Sequence, residues 1–291
     1  MEKDSLTGIS VVIPAFNEQG SIQRTITCIQ DMAQSVDYAV QIIVVDDGST
    51  DRTLEVLEQY SVDVIKNEMN RGYGFSLKTG IREAKYDIVV ISDADGTYPI
   101  DKIPDLITEY SDHGCDMVVG ARTGETVNIP FVRKPAKWFI TGLANYLTDT
   151  QIPDLNSGLR VMKKSIVEKF AGILPDGFSF TSTITLAMLT NDYVVHYIPV
   201  NYYKRDGKSK IRPLYDTLNF IQLVIRSVMY FNPLKVFLPL SGFFFLTGTV
   251  LFLYRVFIRT SFSVTIGLMF LTAFQILAIG MLAEIIVKRV K

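Results

Sequence analysis

Charge of one sign is what the chain most plainly lacks. Its 29 basic and 30 acidic residues leave a formal net charge of −1, so no global basic field speaks for nucleic acid. Cysteine is almost absent: Cys28 and Cys115 have neither metal-site spacing nor the density of a disulfide scaffold. Both are expected to be buried free thiols. The opening MEKDSLTG has no charged-then-apolar pattern of a signal peptide, so everything before residue 200 is expected to be cytoplasmic. No G-x-G-x-x-G follows the first strand, and G-x-x-x-x-G-K-[ST] occurs nowhere. Neither a dinucleotide fold nor a P-loop is therefore supported. Internal repeats and low-complexity segments are missing too.

What the chain does have is a sharp shift in composition. No charged residue occurs from Val236 to Tyr254 or from Thr260 to Ala283, runs of 19 and 24 residues. A helix needs about 20 residues to cross the bilayer core. Two core helices of a soluble domain are the alternative, but FFFLTGTVLFLY has no polar face to show to water. The runs predict membrane spans over about 236–257 and 260–285, joined by a short turn at Arg255–Arg259. Lys204, Arg205, Lys208, Lys210, Arg212, Arg226 and Lys235 precede the pair, and Lys288, Arg289 and Lys291 follow it. That asymmetry predicts both termini and the large N-terminal part on the cytoplasmic side.

The first two hundred residues alternate apolar runs with helical segments. Strands are expected at Ile9–Pro14, Gln41–Asp47, Val62–Asn67 and Asp87–Asp93. Helices are expected from Glu18 to about Ala33, after Ser49-Thr50-Asp51, and from about Phe75. This order predicts an α/β fold, a mostly parallel sheet with helices on both faces. Ligands of such sheets bind beyond the carboxyl ends of the strands. Those ends read PAFNE, DDGSTD, NEMNRGYG and DADG.

The stretch VVISDADGTYP ends a buried strand on two carboxylates, Asp93 and Asp95. On an extended backbone residues i and i+2 share a face, and two like charges there need a positive partner. Solvated turn residues, a general acid and base, or a shared divalent cation that also holds a diphosphate are the three readings. The position at a strand exit favours the cation, and oxygen-only ligands favour Mg²⁺ or Mn²⁺.

PAFNE at Pro14–Glu18, VVDDGSTD at Val44–Asp51, Asn67 to Gly74, DADG at Asp93–Gly96 and DLNSGLR at Asp154–Arg160 together resemble family 2 glycosyltransferases of the GT-A fold. R-x-G-x-S-K at Arg205–Lys210, followed by a terminal hairpin, is similar to the branch that glycosylates polyprenyl phosphates. The resemblance implies a nucleotide-sugar site drawn from Pro14, Ala15, Asn17, Glu18, Asp46, Asp47, Gly48, Ser49, Asn70, Gly72, Lys78, Asp93, Ala94 and Asp95. Within it Asp47 would contact the base or ribose, and Asp93 and Asp95 would hold Mg²⁺ or Mn²⁺. Many members continue D-A-D-L-Q with a metal-reaching glutamine; here Gly96 and Thr97 stand instead, and Thr97 or water would substitute. Asp154, Asp95 and Arg160 are the implied catalytic residues, and Arg122, Arg133, Arg205, Ser209 and Lys210 the implied acceptor-phosphate residues. Asp154 is expected to orient the site, by holding Arg160 or an acceptor-site arginine, and to take a proton only at lower pH.

Phe139, Leu143, Tyr146 and Leu147 define one helix face behind Arg133, Lys134, Lys137 and Trp138. It reads equally as a surface helix packed on the sheet or as one lying in the bilayer interface. A second candidate carries Leu214, Leu218, Ile221, Ile225 and Val228. The implied layout is a catalytic domain at 1–211, a juxtamembrane helix at 212–233 and a hairpin at 234–291. The implied reaction is inverting hexose transfer from a nucleotide diphosphate sugar to a membrane polyprenyl phosphate; self-association into a homo-oligomer stays open. A processive polysaccharide synthase would carry Q-x-x-R-W and more membrane helices, whereas the single tryptophan lies in KPAKW. A non-catalytic scaffold is the other rival, opposed by intact Asp93, Asp95 and Asp154.

Overall fold

The computed structural model describes residues 6–123, 141–146, 148–177, 179–203, 225, 229–230, 232–258 and 263–290. The N-terminal part forms a seven-stranded sheet in the order β3-β2-β1-β4-β6-β5-β7. Its strands are β1 (Gly8–Ala15), β2 (Ala39–Asp46), β3 (Asp63–Lys66), β4 (Ile88–Ile91), β5 (Met117–Ala121), β6 (Arg160–Lys163) and β7 (Val195–Pro199). Only β6 runs against its neighbours, β4 and β5; the other pairings are parallel. Residue alternation along each strand feeds two cores, one per face. Ile9, Val11 and Ile13 of β1 with Ile42 and Val44 of β2 pack against α1 (Ile22–Gln34), α2 (Thr53–Leu57) and α4 (Ile103–His113). Val12, Ile43, Val45, Val89 and Ile91 face α3 (Tyr73–Glu83), α5 (Lys164–Phe170) and α6 (Phe180–Leu189). The expected mostly parallel sheet with helices on both faces is present.

Some boundaries moved for local reasons. The first helix starts at Ile22, not Glu18, because Glu18–Ser21 is a turn whose Glu18 N–H donates to the Thr53 hydroxyl at 2.9 Å. The fourth strand stops at Ile91, so Ala94 and Asp95 occupy a turn rather than extended backbone. Cys115 is buried as expected, but Cys28 is exposed on the outer face of α1.

The chain ends in two long apolar helices, α7 (Leu234–Ile258) and α8 (Val264–Val290). Among the described residues these two are long and apolar enough to cross a membrane, and most of their surface is uncovered by protein. Small residues let them approach: a Cβ at Gly280 would lie 2.6 Å from Phe237. The Ser241 hydroxyl donates to the Ala273 carbonyl across the pair at 2.8 Å, the kind of contact that joins helices in lipid. Helix α7 continues through Arg255 to Ile258, where a turn was expected. Helical turns at 141–146 dock against its base, where Lys235 pairs with Asp149 and Val236 packs beside Leu143 and Ala144. Leu143 thus packs on protein, whereas Tyr146 is exposed. Lys134, Lys137, Trp138, Phe139 and Leu147 lie outside the described residues, as does the second interface candidate except Ile225.

Candidate active site

β1 pairs with β2 on one side and β4 on the other, so their crossovers diverge and leave a crevice at the strand exits. Because β6 is reversed, its entry lies at that same end and brings Asp154–Leu159 to the exits of β4 and β5. Two motifs sixty residues apart in the chain therefore become one site.

Asp93 sits in a tailored slot. Its Oδ1 accepts the Tyr73 hydroxyl at 2.9 Å. A Cβ on Gly158 would lie 2.7 Å from the same carboxylate, so only glycine leaves room for it. The Gly158 N–H in turn donates to the Tyr98 hydroxyl oxygen at 2.6 Å. Burial, then Asp93, pushes the Tyr73 phenol well above its usual range and keeps it a donor. Asp95 is held differently: its Oδ1 accepts the Thr97 hydroxyl at 2.6 Å and the Thr97 N–H at 3.1 Å. Thr97 thus orients Asp95. Gly158→Ala is expected to push the Asp93 carboxylate aside and lower turnover by about 100-fold, the typical penalty of a misplaced reacting group. Its thermal midpoint should stay close to that of the parent, and unchanged kinetics would refute the slot.

At the same end of the sheet, past β5, lies a buried ion pair. Arg122, just past β5, sends Nε to Asp154 Oδ2 at 2.7 Å and Nη2 to Oδ1 at 2.9 Å, and its N–H adds a third bond at 3.0 Å. Asp154 is 5 % exposed. Burial alone would raise its carboxyl, but the Arg122 hydrogen bonds and charge outweigh that and hold it below the usual range. Burial likewise opposes the Arg122 charge, and Asp154 more than restores it. The guanidinium lies over the Tyr202 ring at 5.2 Å, and Tyr202 meets Tyr98 edge-on at 5.3 Å. Asp154 thus holds Arg122, not Arg160.

Arg160 does not fit its expected role. It is 0 % exposed, and its guanidinium donates to the carbonyls of Ser157 and Leu155 and to the Thr185 hydroxyl. It braces the 155–157 turn from inside and reaches no substrate space. Arg133, Arg205, Ser209 and Lys210 lie outside the described residues.

Several expected nucleotide contacts are instead internal braces. Asp47 is buried and accepts the Asn67 side-chain amide and the Arg71 and Gly72 N–H groups at 2.8–2.9 Å. It shapes the Asn67–Gly72 loop and is not open to a base or ribose. Asn17 Oδ1 accepts N–H groups of Thr50 and Asp51, and its own N–H donates to Ser49, locking Pro14–Glu18 to Gly48–Asp51. Asp46 Oδ2 accepts the Ser49 N–H at 3.2 Å, while its Oδ1 is buried with no partner among the described residues. Gly72, at φ +104°, passes so close to Asp176 that a Cβ would meet that carbonyl at 2.5 Å. Lys78 ties down the same segment through Asp176 at 2.6 Å and the Leu174 carbonyl at 3.0 Å. Asn70 is exposed beside this loop. Ala15 and Ala94 are buried near the crevice, and Ala94's carbonyl accepts the Thr25 hydroxyl.

Tyr73, Tyr98, Tyr202 and Gly158 were missed from sequence. Gly158 and Tyr73 sit inside the quoted motifs, but nothing local says that one must admit a carboxylate and the other cap it. A cavity of about 460 Å³ lies behind the Gly96–Asp101 segment against α1, lined by Cys28, Met32, Tyr98, Ile100 and Tyr203. None of the strand-exit carboxylates opens into it.

Two carboxylates at one strand exit, one slotted by a glycine and one fixed by a hydroxyl, form an oxygen donor set that suits a hard divalent cation. Residues 10–170 match the model of glycosyl transferase family 2, and residues 232–288 match the GtrB C-terminal hairpin. The chain belongs to glycosyl transferase family 2. It is similar to the prophage bactoprenol glucosyl transferase homolog of Escherichia coli K12, at 26 % identity over 96 % of this chain and 93 % of that one. It is 32 % identical to the dolichol-phosphate mannosyltransferase of Pyrococcus furiosus over 61 % of this chain, and spans only 52 % of that relative's length. Among solved structures, glucosyl-3-phosphoglycerate synthase of Mycobacterium tuberculosis, crystallised with Mn²⁺, UDP-glucose and phosphoglyceric acid, superposes at a TM-score of 0.59. At 21 % identity, over 76 % of this chain and 80 % of that one, the likeness is one of GT-A fold. With its hairpin, this glycosyltransferase is a membrane-associated protein.

Proposed function

We propose that this glycosyltransferase moves a hexose from a nucleotide diphosphate sugar to a polyprenyl phosphate at the cytoplasmic membrane face, with inversion at the anomeric carbon. The observation that carries the reading is that the Arg122–Asp154 pair and the Asp93–Asp95 turn lie at the same end of the sheet, a fixed cation and two carboxylates suited to a metal. The relatives named for bactoprenol and dolichol phosphate, one of them covered over nearly its whole length, support the acceptor class.

Asp93 and Asp95 would hold Mg²⁺ or Mn²⁺, which when bound neutralises the leaving diphosphate as a Lewis acid. Asp154 takes the Nε–Nη2 edge of Arg122, and the permanently charged guanidinium turns its other edge, Nη1–Nη2, to the acceptor phosphate. A phosphate monoester has its second pKa near 6, so at neutral pH the acceptor is already largely dianionic and needs no base. One acceptor oxygen then forms the new bond to the anomeric carbon as the bond to the nucleotide diphosphate breaks on the opposite face. Asp154, kept ionised by Arg122, is a positioning residue here.

Incubation with radiolabelled UDP- and GDP-hexoses and polyprenyl phosphate should give one labelled, chloroform-extractable lipid; hydrolysis of the donor without lipid product would refute the acceptor assignment. The domain layout follows: a catalytic domain at 1–211, a juxtamembrane segment at 212–233 and a hairpin at 234–291. A reporter fused after Lys291 is expected on the cytoplasmic side and one inserted after Ile258 on the far side. The opposite labelling would overturn the orientation.

A further inference from the structure

Both histidines of the chain and its one buried cysteine meet at a single place, away from the strand exits. We propose that Glu109, His113, Cys115 and His196 form a binding site for a borderline transition-metal ion of the Zn²⁺ class.

Three elements build the cluster. Helix α4 carries Glu109 and His113 one turn apart, on one face. The helix ends at Gly114 in the left-handed conformation at φ +60°, which folds the chain back so that the Cys115 N–H bonds the Tyr110 carbonyl. The same turn lays Cys115 Sγ 3.7 Å from the Glu109 carbonyl. The edge strand β7 supplies His196, opposite Val118 of β5. His196 Nδ1 lies 2.7 Å and His113 Nδ1 3.4 Å from Glu109 Oε1, with the two rings 5.6 Å apart. The ligand atoms of Glu109, Cys115 and His196 all fall within 4.8 Å of one another.

A tetrahedral zinc site places its ligand atoms roughly 3.3–3.8 Å apart, from metal–nitrogen and metal–sulfur distances near 2.0 and 2.3 Å. Opening the Glu109–His196 contact by under about 1 Å reaches that spacing. Two imidazoles, a thiolate and a carboxylate select Zn²⁺ over Mg²⁺ or Mn²⁺, which separates this site chemically from the oxygen pair at Asp93 and Asp95. Burial, with Glu109 and Asp116, raises the Cys115 thiol, so the metal-free site stays protonated there. Metal entry would release that proton and leave both imidazoles bonded through Nδ1.

The location gives the ion a structural task. Cys115 precedes β5 and His196 is the second residue of β7, so the cluster lies at the strand entries, the end of the sheet opposite the candidate active site. A bound ion would cross-link the end of α4 to the exposed edge strand. β7 leads directly to Tyr202, on which Arg122 rests.

The test uses the full-length chain in detergent, purified without a histidine tag and stripped with chelator. After Zn²⁺ loading and gel filtration it should retain about one zinc per chain and melt about 5 °C higher. Loading with Co²⁺ should produce thiolate-to-cobalt charge transfer and tetrahedral d–d bands. Cys115→Ser should remove the charge-transfer band, and His196→Ala should weaken retention by at least about 100-fold. His113 is exposed, so His113→Ala keeps the fold and should shift the d–d bands. Asp95→Asn should change none of these readouts. Zinc washed away on gel filtration, or retained equally by the Cys115 and His196 variants, would overturn the site and leave a histidine–glutamate hydrogen-bond cluster.

Discussion

Asp95→Asn is expected to lower sugar transfer about 100- to 1,000-fold, the scale on which loss of one group facing developing charge is felt. The fold should survive the change. Asparagine keeps an oxygen that accepts from the Thr97 hydroxyl and N–H, so the turn retains its internal bonds. What disappears is the negative charge that, with Asp93, lets a divalent cation sit beside a diphosphate. Excess chelator should reproduce the loss in the parent, and added Mg²⁺ or Mn²⁺ should rescue the parent but not the variant. The measurement is labelled lipid formed per minute, with the thermal midpoint as control. Full transfer in excess chelator would remove the metal from the mechanism.

Removing Arg122 should have the largest effect on stability. Arg122→Ala strands the Asp154 carboxylate at 5 % exposure, and breaking a buried pair from one side costs about 3–5 kcal/mol. Asp154→Asn should cost less, because a neutral amide still offers Arg122 an acceptor and the guanidinium reaches solvent at 26 % exposure. The double variant should therefore be more stable than Arg122→Ala alone, with clear non-additivity in a mutant cycle. Both single variants should turn over slowly. For Asp154→Asn the fold loss should stay constant between about pH 5.5 and 8.5, a range that spans the acceptor phosphate's second pKa. Asp154 has its pKa lowered in the folded state, so its stabilising contribution is present above about pH 4 and fades as pH falls through the folded value. A loss that shrinks as pH rises would return the proton to Asp154, the expectation drawn from the motif alone.

Much of the architecture was legible in local pattern. Runs such as VVIPA and IIVV are apolar at every position because both faces of the sheet are covered, and their polar exits mark the end that binds. The two uncharged runs are read by length and composition, since a charged side chain in the hydrocarbon core is costly. The motifs pointed to Asp93, Asp95 and Asp154, which the fold brings to one end of the sheet. The partners of those residues were a different matter. Whether Asp154 meets Arg160 or Arg122 depends on β6 entering backwards between β4 and β5, which turns Arg160 into the core and brings Arg122 alongside. Asp47 could not be told from an open ligand until the Asn67–Gly72 loop closed over it. Likewise the meeting of Glu109, Cys115 and His196 requires the parallel pairing of β5 with β7, nearly eighty residues apart. Periodicity and backbone preference act over a few residues and are written in the chain itself. Which carboxylate meets which cation is set by the register of strands distant in sequence, and only the folded sheet decides it.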